Sequence, residues 1–212
     1  MKIYYEDEYI VVLEKPYGVS SQESNGASVL SLLLEKGISA YCVHRLDTQT
    51  TGVMVYAKTK EGAGVLSKEI QNGELSKKYL CVCHGVPEES GEMTDLLYHD
   101  KLKNKSFVVY KKRNGVKEAR LEFWTRGVTN LGEKELSLVE INLLTGRTHQ
   151  IRAQLSKRGY PLYGDGKYGA KDNDKIALHC EKISFRHPKT GDEMIFISLP
   201  SGGIWDAFLK NE

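Results

Sequence analysis

The sequence predicts an α+β fold with a mixed, mostly antiparallel central sheet and flanking helices. Three features carry that prediction. Short apolar or alternating runs recur along the chain, only a few stretches have helical spacing, and no linker of convincing length separates them. Taken in order, Ile10-Val11-Val12-Leu13 is an apolar run ended by Lys15-Pro16 and Gly18, a strand followed by a turn. Ser28 is placed to cap a helix through Lys36, stopped by Gly37, with Val29, Leu32 and Leu33 as its apolar stripe. Gly52 leads into a second strand, Val53 to Ala57. Lys60 to Asn72 reads as a helix with Val65, Leu66 and Ile70 inward and Gly73 as its stop. Tyr79 to Cys83 is a third strand, and residues 86–100 read as an acidic loop. Beyond it, Phe107 to Tyr110, Arg120 to Trp124 and Leu136 to Leu143 suit strands, the last by its alternation. Thr148 to Lys157 reads as an amphipathic helix closed by Gly159 and Pro161. Ile176 to Phe185 and Met194 to Leu199 are late strands, and a short helix around Trp205 and Phe208 ends the chain. These elements imply one domain over residues 1–212, a domain that admits two lobes around a central cleft.

Composition bounds the function class. The chain has 212 residues, 40% hydrophobic and 27% charged, which is ordinary for a globular protein. No apolar run approaches the ~20 residues that cross a bilayer. The N-terminus turns acidic at once and lacks a signal-peptide core, so a cytoplasmic protein is expected, without membrane partners. Cys42, Cys81, Cys83 and Cys180 then read as reduced thiols. Cys81 and Cys83 share a face on a strand and, with His44, His84 or His179, offer metal ligands. No C-x₂-C or H-x₃-H spacing appears, and a role as small buried hydrophobes is the better reading. The net charge of +2 does not by itself predict a nucleic-acid partner. Its distribution is more informative: residues 101–126 carry nine Lys or Arg against two Glu, and residues 147–171 six against one Asp. A nearly neutral protein with such runs can present a basic face.

Three segments bring chemistry-bearing side chains together. In His44-Arg45-Leu46-Asp47-Thr48-Gln49-Thr50-Thr51-Gly52, an acid, two potential cations, hydroxyls and a glycine meet in a connecting loop. On local composition alone, Asp47 reads more readily as a turn residue than as a catalyst. Gly146-Arg147-Thr148-His149-Gln150-Ile151-Arg152 opens a helix with cations, against the usual preference at a helix start, and such local violations often mark sites. In Ser76-Lys77-Lys78-Tyr79-Leu80, Lys77 and Tyr79 share one face of a strand, and Tyr79 can stack on a base or accept a proton.

Together these segments resemble the RluA-type pseudouridine synthases. His-Arg-Leu-Asp followed by Thr-Thr-Gly is similar to their catalytic motif, Lys77-Lys78-Tyr79-Leu80 to their tyrosine motif, and Gly-Arg-Thr-His-Gln-Ile-Arg to their third motif. Glu14-Lys15-Pro16-Tyr17-Gly18, Pro161-Leu162-Tyr163-Gly164-Asp165, Tyr168-Gly169, Leu178-His179 and Phe185-Arg186-His187-Pro188 resemble further family segments, in the same order. The family commonly has Thr-Ser-Gly where this chain has Thr50-Thr51-Gly52, a change that keeps a hydroxyl. The signature begins within the first ~20 residues, which leads us to expect a stand-alone catalytic domain without an S4-type RNA-binding domain.

The resemblance implies a pseudouridine synthase-like catalytic fold and an isomerisation of uridine in structured rRNA or tRNA. It implies no cofactor and no metal, and the reading includes a monomer. Asp47 is implied as the catalytic carboxylate, Tyr79 as the aromatic residue beside the flipped uracil, and Arg152 as the cation that keeps Asp47 ionised. Arg offers a fork of donors that Lys lacks. Arg45 is implied to stand in for the displaced base, Ile151 to pack against the uracil, and Arg147 to contact substrate. A uracil inside a stack cannot react, so base flipping is part of the expectation. Two rivals remain: a noncatalytic RNA-binding or RNA-chaperone protein on the same fold, and a metal-dependent hydrolase using the His and Cys residues.

Overall fold

The computed structural model describes residues 1–209. Its strands in chain order are β1 (Ile3–Glu6), β2 (Ile10–Lys15), β3 (Tyr41–Cys42), β4 (Thr51–Ala57), β5 (Ser76–His84), β6 (Ser90–Asp100), β7 (Lys105–Val109), β8 (Val116–Leu131), β9 (Lys134–Leu143), β10 (Leu178–Arg186) and β11 (Glu193–Ile197). Three α-helices accompany them: α1 (Val29–Leu34), α2 (Lys60–Asn72) and α3 (Gln150–Lys157). The α+β reading therefore holds, and most strand pairs are antiparallel. The chain divides into two compact units. The first comprises residues 1–78 and 179–200, the second residues 79–178 and the chain from Ser201. No helix among the described residues is long and apolar enough to cross a membrane.

In the first unit, β2 lies between β1 and β4 and pairs antiparallel with both. Its run Ile10 to Leu13 is fully buried, which explains why it is continuously apolar rather than alternating. β10 joins β4 in parallel, with His179 opposite Thr51 and Cys180 opposite Gly52, and β11 continues antiparallel from β10. Only glycine suits position 52. Its φ of +118° lies in the left-handed half of the map, and a Cβ there would lie 2.5 Å from the Cys180 nitrogen. α1 starts where Ser28 predicts, through reciprocal bonds of 3.0 and 3.1 Å with Ser31, but ends at Leu34 rather than Lys36. α2 has the predicted bounds, capped by Thr59 and ended by Gly73 at φ 76°. Its inward face differs from expectation. Val65 is 41% exposed, while Glu69 is buried because its carboxylate accepts a 3.0 Å bond from the Arg186 backbone N–H.

In the second unit the strands run β5-β9-β8-β6-β7. Most of the acidic segment expected as a loop is instead β6, from Ser90 on, paired with β8 on one side and β7 on the other. Its acids thus lie beside the basic run: Asp100 faces Lys105, and Asp95 takes a 2.8 Å ion pair from Arg158. Strand β8 is also far longer than Arg120–Trp124. Backbone pairing to β9 carries it on to Leu131 past an irregularity at Thr125/Gly127, where the side chains are largely exposed and give no apolar signal. Helix α3 packs on β6 and β7 and buries Ile151 and Leu155. Another apolar cluster gathers Leu80, Val82, Leu136, Leu138 and Ala177 under Trp205 and Phe208. There the expected terminal helix is a 3-10 turn, Gly203–Ala207.

Candidate active site

Asp47 sits half-buried in the loop between β3 and β4. Its carbonyl accepts a 2.9 Å bond from Thr50 N–H, which closes the turn that the local composition suggests. The residues on either side are clamped by the turn that follows β2. Ser21 Oγ donates to Leu46 O at 2.8 Å and accepts from Leu46 N–H at 3.1 Å, and Tyr56 OH in turn donates to Ser21 O at 2.9 Å. Lys15, fully buried, donates from Nζ to Thr48 O, Val19 O and Pro16 O at 3.1, 2.7 and 2.9 Å. Burial pushes the Lys15 pKa down to about 8, and the negative charge of Asp47 acts against that fall. A loop held this way presents one carboxylate with little conformational freedom.

The other groups of this loop take different parts. His44 is not the cation that the sequence allowed: burial, and secondarily the Lys77 charge, push its pKa well below the usual imidazole range. Its Nε2 accepts from Val55 N–H at 3.2 Å, so the neutral ring ties the loop to β4. The Thr51 hydroxyl donates to His179 Nδ1 at 2.7 Å, since His179 Nε2–H must serve Ser198 O at 3.0 Å. Burial pushes His179 down to about 4, so it stays a neutral bridge from β4 to the chain beyond β11. This accounts for a hydroxyl at position 51. Arg45 is exposed, as a residue meeting a nucleic acid must be.

The second unit holds the remaining residues singled out in the sequence. Tyr79 on β5 is 4% exposed, Ile151 4% and Arg152 3%. Arg147 is exposed, and its Nε donates to Glu118 O at 2.9 Å. Gln150 fixes the helix entry. Its Oε1 accepts from Arg147 N–H at 3.0 Å and Thr145 Oγ1 at 2.8 Å, while its Nε2 donates to Arg120 O at 3.0 Å. The helix begins after His149, which has φ 53° and no side-chain cap bond, a left-handed conformation uncommon outside glycine. Such strain concentrates at functional sites. Cys81 and Cys83 are fully buried free thiols, and burial raises Cys83 to about 12, as inert core residues behave. Among the described residues, no three His, Cys, Asp or Glu side chains gather as metal ligands.

Arg152 has a partner whose role the sequence pattern does not reveal. Asp165 takes its Nε at 2.7 Å and Nη2 at 2.8 Å in a fork, with side chains 3% and 0% exposed. In the sequence, Asp165 stands out only within a family-like segment. The pairing spans thirteen residues, a separation that gives no periodic signal. The turn that carries Asp165 is itself anchored. Asp172 accepts from Lys134 at 2.7 Å, from His84 at 2.5 Å and from Gly164 N–H at 3.2 Å. Burial alone would raise the Asp172 pKa, but Lys134, His84 and Gly164 outweigh it and hold the carboxyl at about 2. Its folded pKa thus lies below the ~3.9 of an unfolded aspartate, so its contribution is complete above about pH 4 and fades toward about pH 2. We expect Asp172→Asn to lower Tm at pH 7 by about 3–6 °C. Thermal scans across pH should show the gap from the parent protein closing between about pH 4 and about pH 2.

Comparison with known proteins gives a consistent family. The family model described as RNA pseudouridylate synthase matches residues 9–157, which include every singled-out residue from Arg45 to Arg152. The protein named ribosomal large subunit pseudouridine synthase C of Buchnera aphidicola subsp. Baizongia pistaciae is 33% identical, over 99% of this chain and 70% of its own length. The uncharacterized RNA pseudouridine synthase YlyB of Bacillus subtilis is also 33% identical, over 92% of this chain and 68% of its own. The solved structure of human RNA pseudouridylate synthase domain containing 1 superposes with a TM-score of 0.79 at 20% identity, covering 94% of this chain and 83% of that one. That of human RNA pseudouridylate synthase domain containing 4 gives 0.76 at 23% identity, over 94% and 88%. These two likenesses speak to the fold.

Proposed function

The chain belongs to the RNA pseudouridylate synthase family, whose members are isomerases, and we propose that it converts specific uridines of structured rRNA or tRNA to pseudouridine with Asp47 as the catalytic carboxylate. The observation that carries this reading is the Asp47 loop. A half-buried carboxylate is held there through backbone atoms on both sides by Lys15 and Ser21, within the stretch that the family model matches.

The isomerisation breaks the bond from C1′ to N1, turns the uracil and joins C1′ to C5. One proton leaves C5 and one arrives at N1, so the step balances without an oxidant or reductant. Asp47 acts as nucleophile or charge stabiliser, and either role uses the same residues. Tyr79 stacks on the extruded ring and helps to move the C5 proton. Arg152 supplies the charge that stabilises the Asp47 carboxylate; a guanidinium carries five N–H donors, and Asp165 engages two of its nitrogens. Ile151 packs against the uracil. Arg45, exposed and planar, takes the place of the displaced base.

Backbone affinity is assigned to the second unit. Its exposed Lys101, Lys103, Lys111, Lys112 and Arg113 offer phosphate contacts. Beside them Tyr110 is 81% exposed with Lys157 over its ring, and Arg113 lies 4.8 Å from the Tyr98 ring centroid. Cations interleaved with aromatic faces suit splayed RNA bases. The protein is taken to work as a monomer in the cytoplasm. The purified protein, incubated with unmodified large-subunit ribosomal RNA and in parallel with bulk unmodified tRNA, should create pseudouridine at discrete positions, read as carbodiimide-dependent stops in primer extension. Absence of new stops in both RNAs would overturn the proposal.

A further inference from the structure

Beyond the stretch that the family model matches, one buried tyrosine of the second unit has every polar valence engaged. Tyr168 is 6% exposed and ends the 3-10 turn Gly166–Tyr168 that follows Asp165. Its hydroxyl accepts from Ser106 N–H at 2.8 Å, donates to Ser106 O at 3.1 Å and lies 3.1 Å from His149 Nδ1. A phenol has one proton and two lone pairs, so with His149 donating from Nδ1 all three are used. The main chain is tied as well: Tyr168 N–H bonds Asp165 O at 3.0 Å, and Tyr168 O accepts from Ser156 Oγ of α3 at 2.6 Å. The ring orientation is therefore set from β7, α3 and its own turn at once. Over this ring, 5.0 Å from its centroid, lies the Arg152 guanidinium carbon.

We infer that Tyr168 is a positioning residue for Arg152, a fixed aromatic platform that sets the plane of the guanidinium. The Asp165 fork holds two nitrogens in line but permits the guanidinium to rock about that line. A fixed ring beneath the guanidinium carbon opposes that motion, and the attraction of a cation to the ring is strong where water is excluded. Arg152 thus reaches its reaction partner in one orientation, as an electrostatic stabiliser must. The inference rests on the reading that Arg152 serves the isomerisation.

The test uses the full chain, with protein in excess over the RNA that the parent enzyme modifies. Tyr168→Leu keeps bulk without a π face, and Tyr168→Phe keeps the ring without its hydroxyl bonds. Val108→Ala lightens the same apolar cluster and leaves both the ring and the Asp165 fork unaltered in composition. The leucine variant should lose about 30-fold in single-turnover rate and the phenylalanine variant about 3- to 5-fold, with RNA Kd unchanged in both. Val108→Ala, at a comparable fall in Tm, should keep its rate. A Tyr168→Leu enzyme within about twofold of the parent rate, or a loss that Val108→Ala matches at equal Tm, overturns the inference. If the leucine variant does not fold, Tyr168→Phe decides by the same comparison: a several-fold slower rate supports the platform, and the parent rate overturns it. Asp47→Ala is measured alongside. Inactive Asp47→Ala with unaffected Tyr168 variants overturns the platform alone, whereas activity retained in Asp47→Ala overturns the functional reading and the platform with it.

Discussion

Asp47→Ala should leave the RNA complex intact and lower the isomerisation rate by on the order of 10⁴-fold or more, to the limit of detection. The expectation of intact binding comes from how the loop is held. Lys15 and Ser21 grip Thr48 O, Leu46 O and Leu46 N–H, and the Asp47 turn closes through its own carbonyl. These contacts run through backbone atoms of the loop, so they persist when the Asp47 side chain is removed. Asp47 is also the negative charge that acts against the fall of the buried Lys15 pKa, so a modest fall in Tm should accompany the loss of activity. Filter binding of the RNA and carbodiimide mapping of the same samples separate the two quantities. A variant that binds but does not isomerise supports Asp47 as the reacting carboxylate. Full activity in Asp47→Ala would remove that assignment, and the noncatalytic RNA-binding alternative would gain the ground it lost.

The distinction matters because Asp47 is not legible as a catalyst from its own surroundings. In the sequence it sits among turn-formers, and the structure does place it in a turn. What singles it out is its company: Arg45, Tyr79 and Arg152 in ordered segments. The residues that hold it in place are less visible. Lys15 stands out only as part of a motif, because a fully buried ammonium cannot be told from a surface lysine by composition. His44 passes for a cation because burial, not residue type, decides its protonation. The same contrast runs through the fold. Helix α2 is legible to the residue because Thr59 and Gly73 punctuate it locally. Strand β6 escapes notice because it buries only Met93 and Leu97 of its eleven residues, and its Asp95 is matched by Arg158, distant in sequence. Local signals end where long-range pairing does the specifying.

Asp165→Ala is the substitution with the largest expected effect on stability. It takes from the Arg152 guanidinium, 3% exposed, the fork that balances its charge. Removing one partner of a buried pair costs about 3–5 kcal/mol, because the remaining charge stays desolvated. In a chain of this size that corresponds to a fall in Tm of about 6–20 °C. The paired replacement Arg152→Met with Asp165→Leu removes both charges and fills the space with apolar volume. It should recover most of the lost Tm, since a buried ion pair commonly adds little over a well-packed apolar pair. Stability alone therefore gives little reason to keep the pair, and the proposed role of Arg152 in the isomerisation supplies one. A guanidinium that must stay charged and oriented in a dry site needs a fixed counter-charge beside it, and Asp165 provides one. The paired variant should accordingly fold like the parent, bind RNA and fail to isomerise it. A stable, active enzyme carrying both replacements would show the arginine to be a structural element and would end its assignment to the reaction.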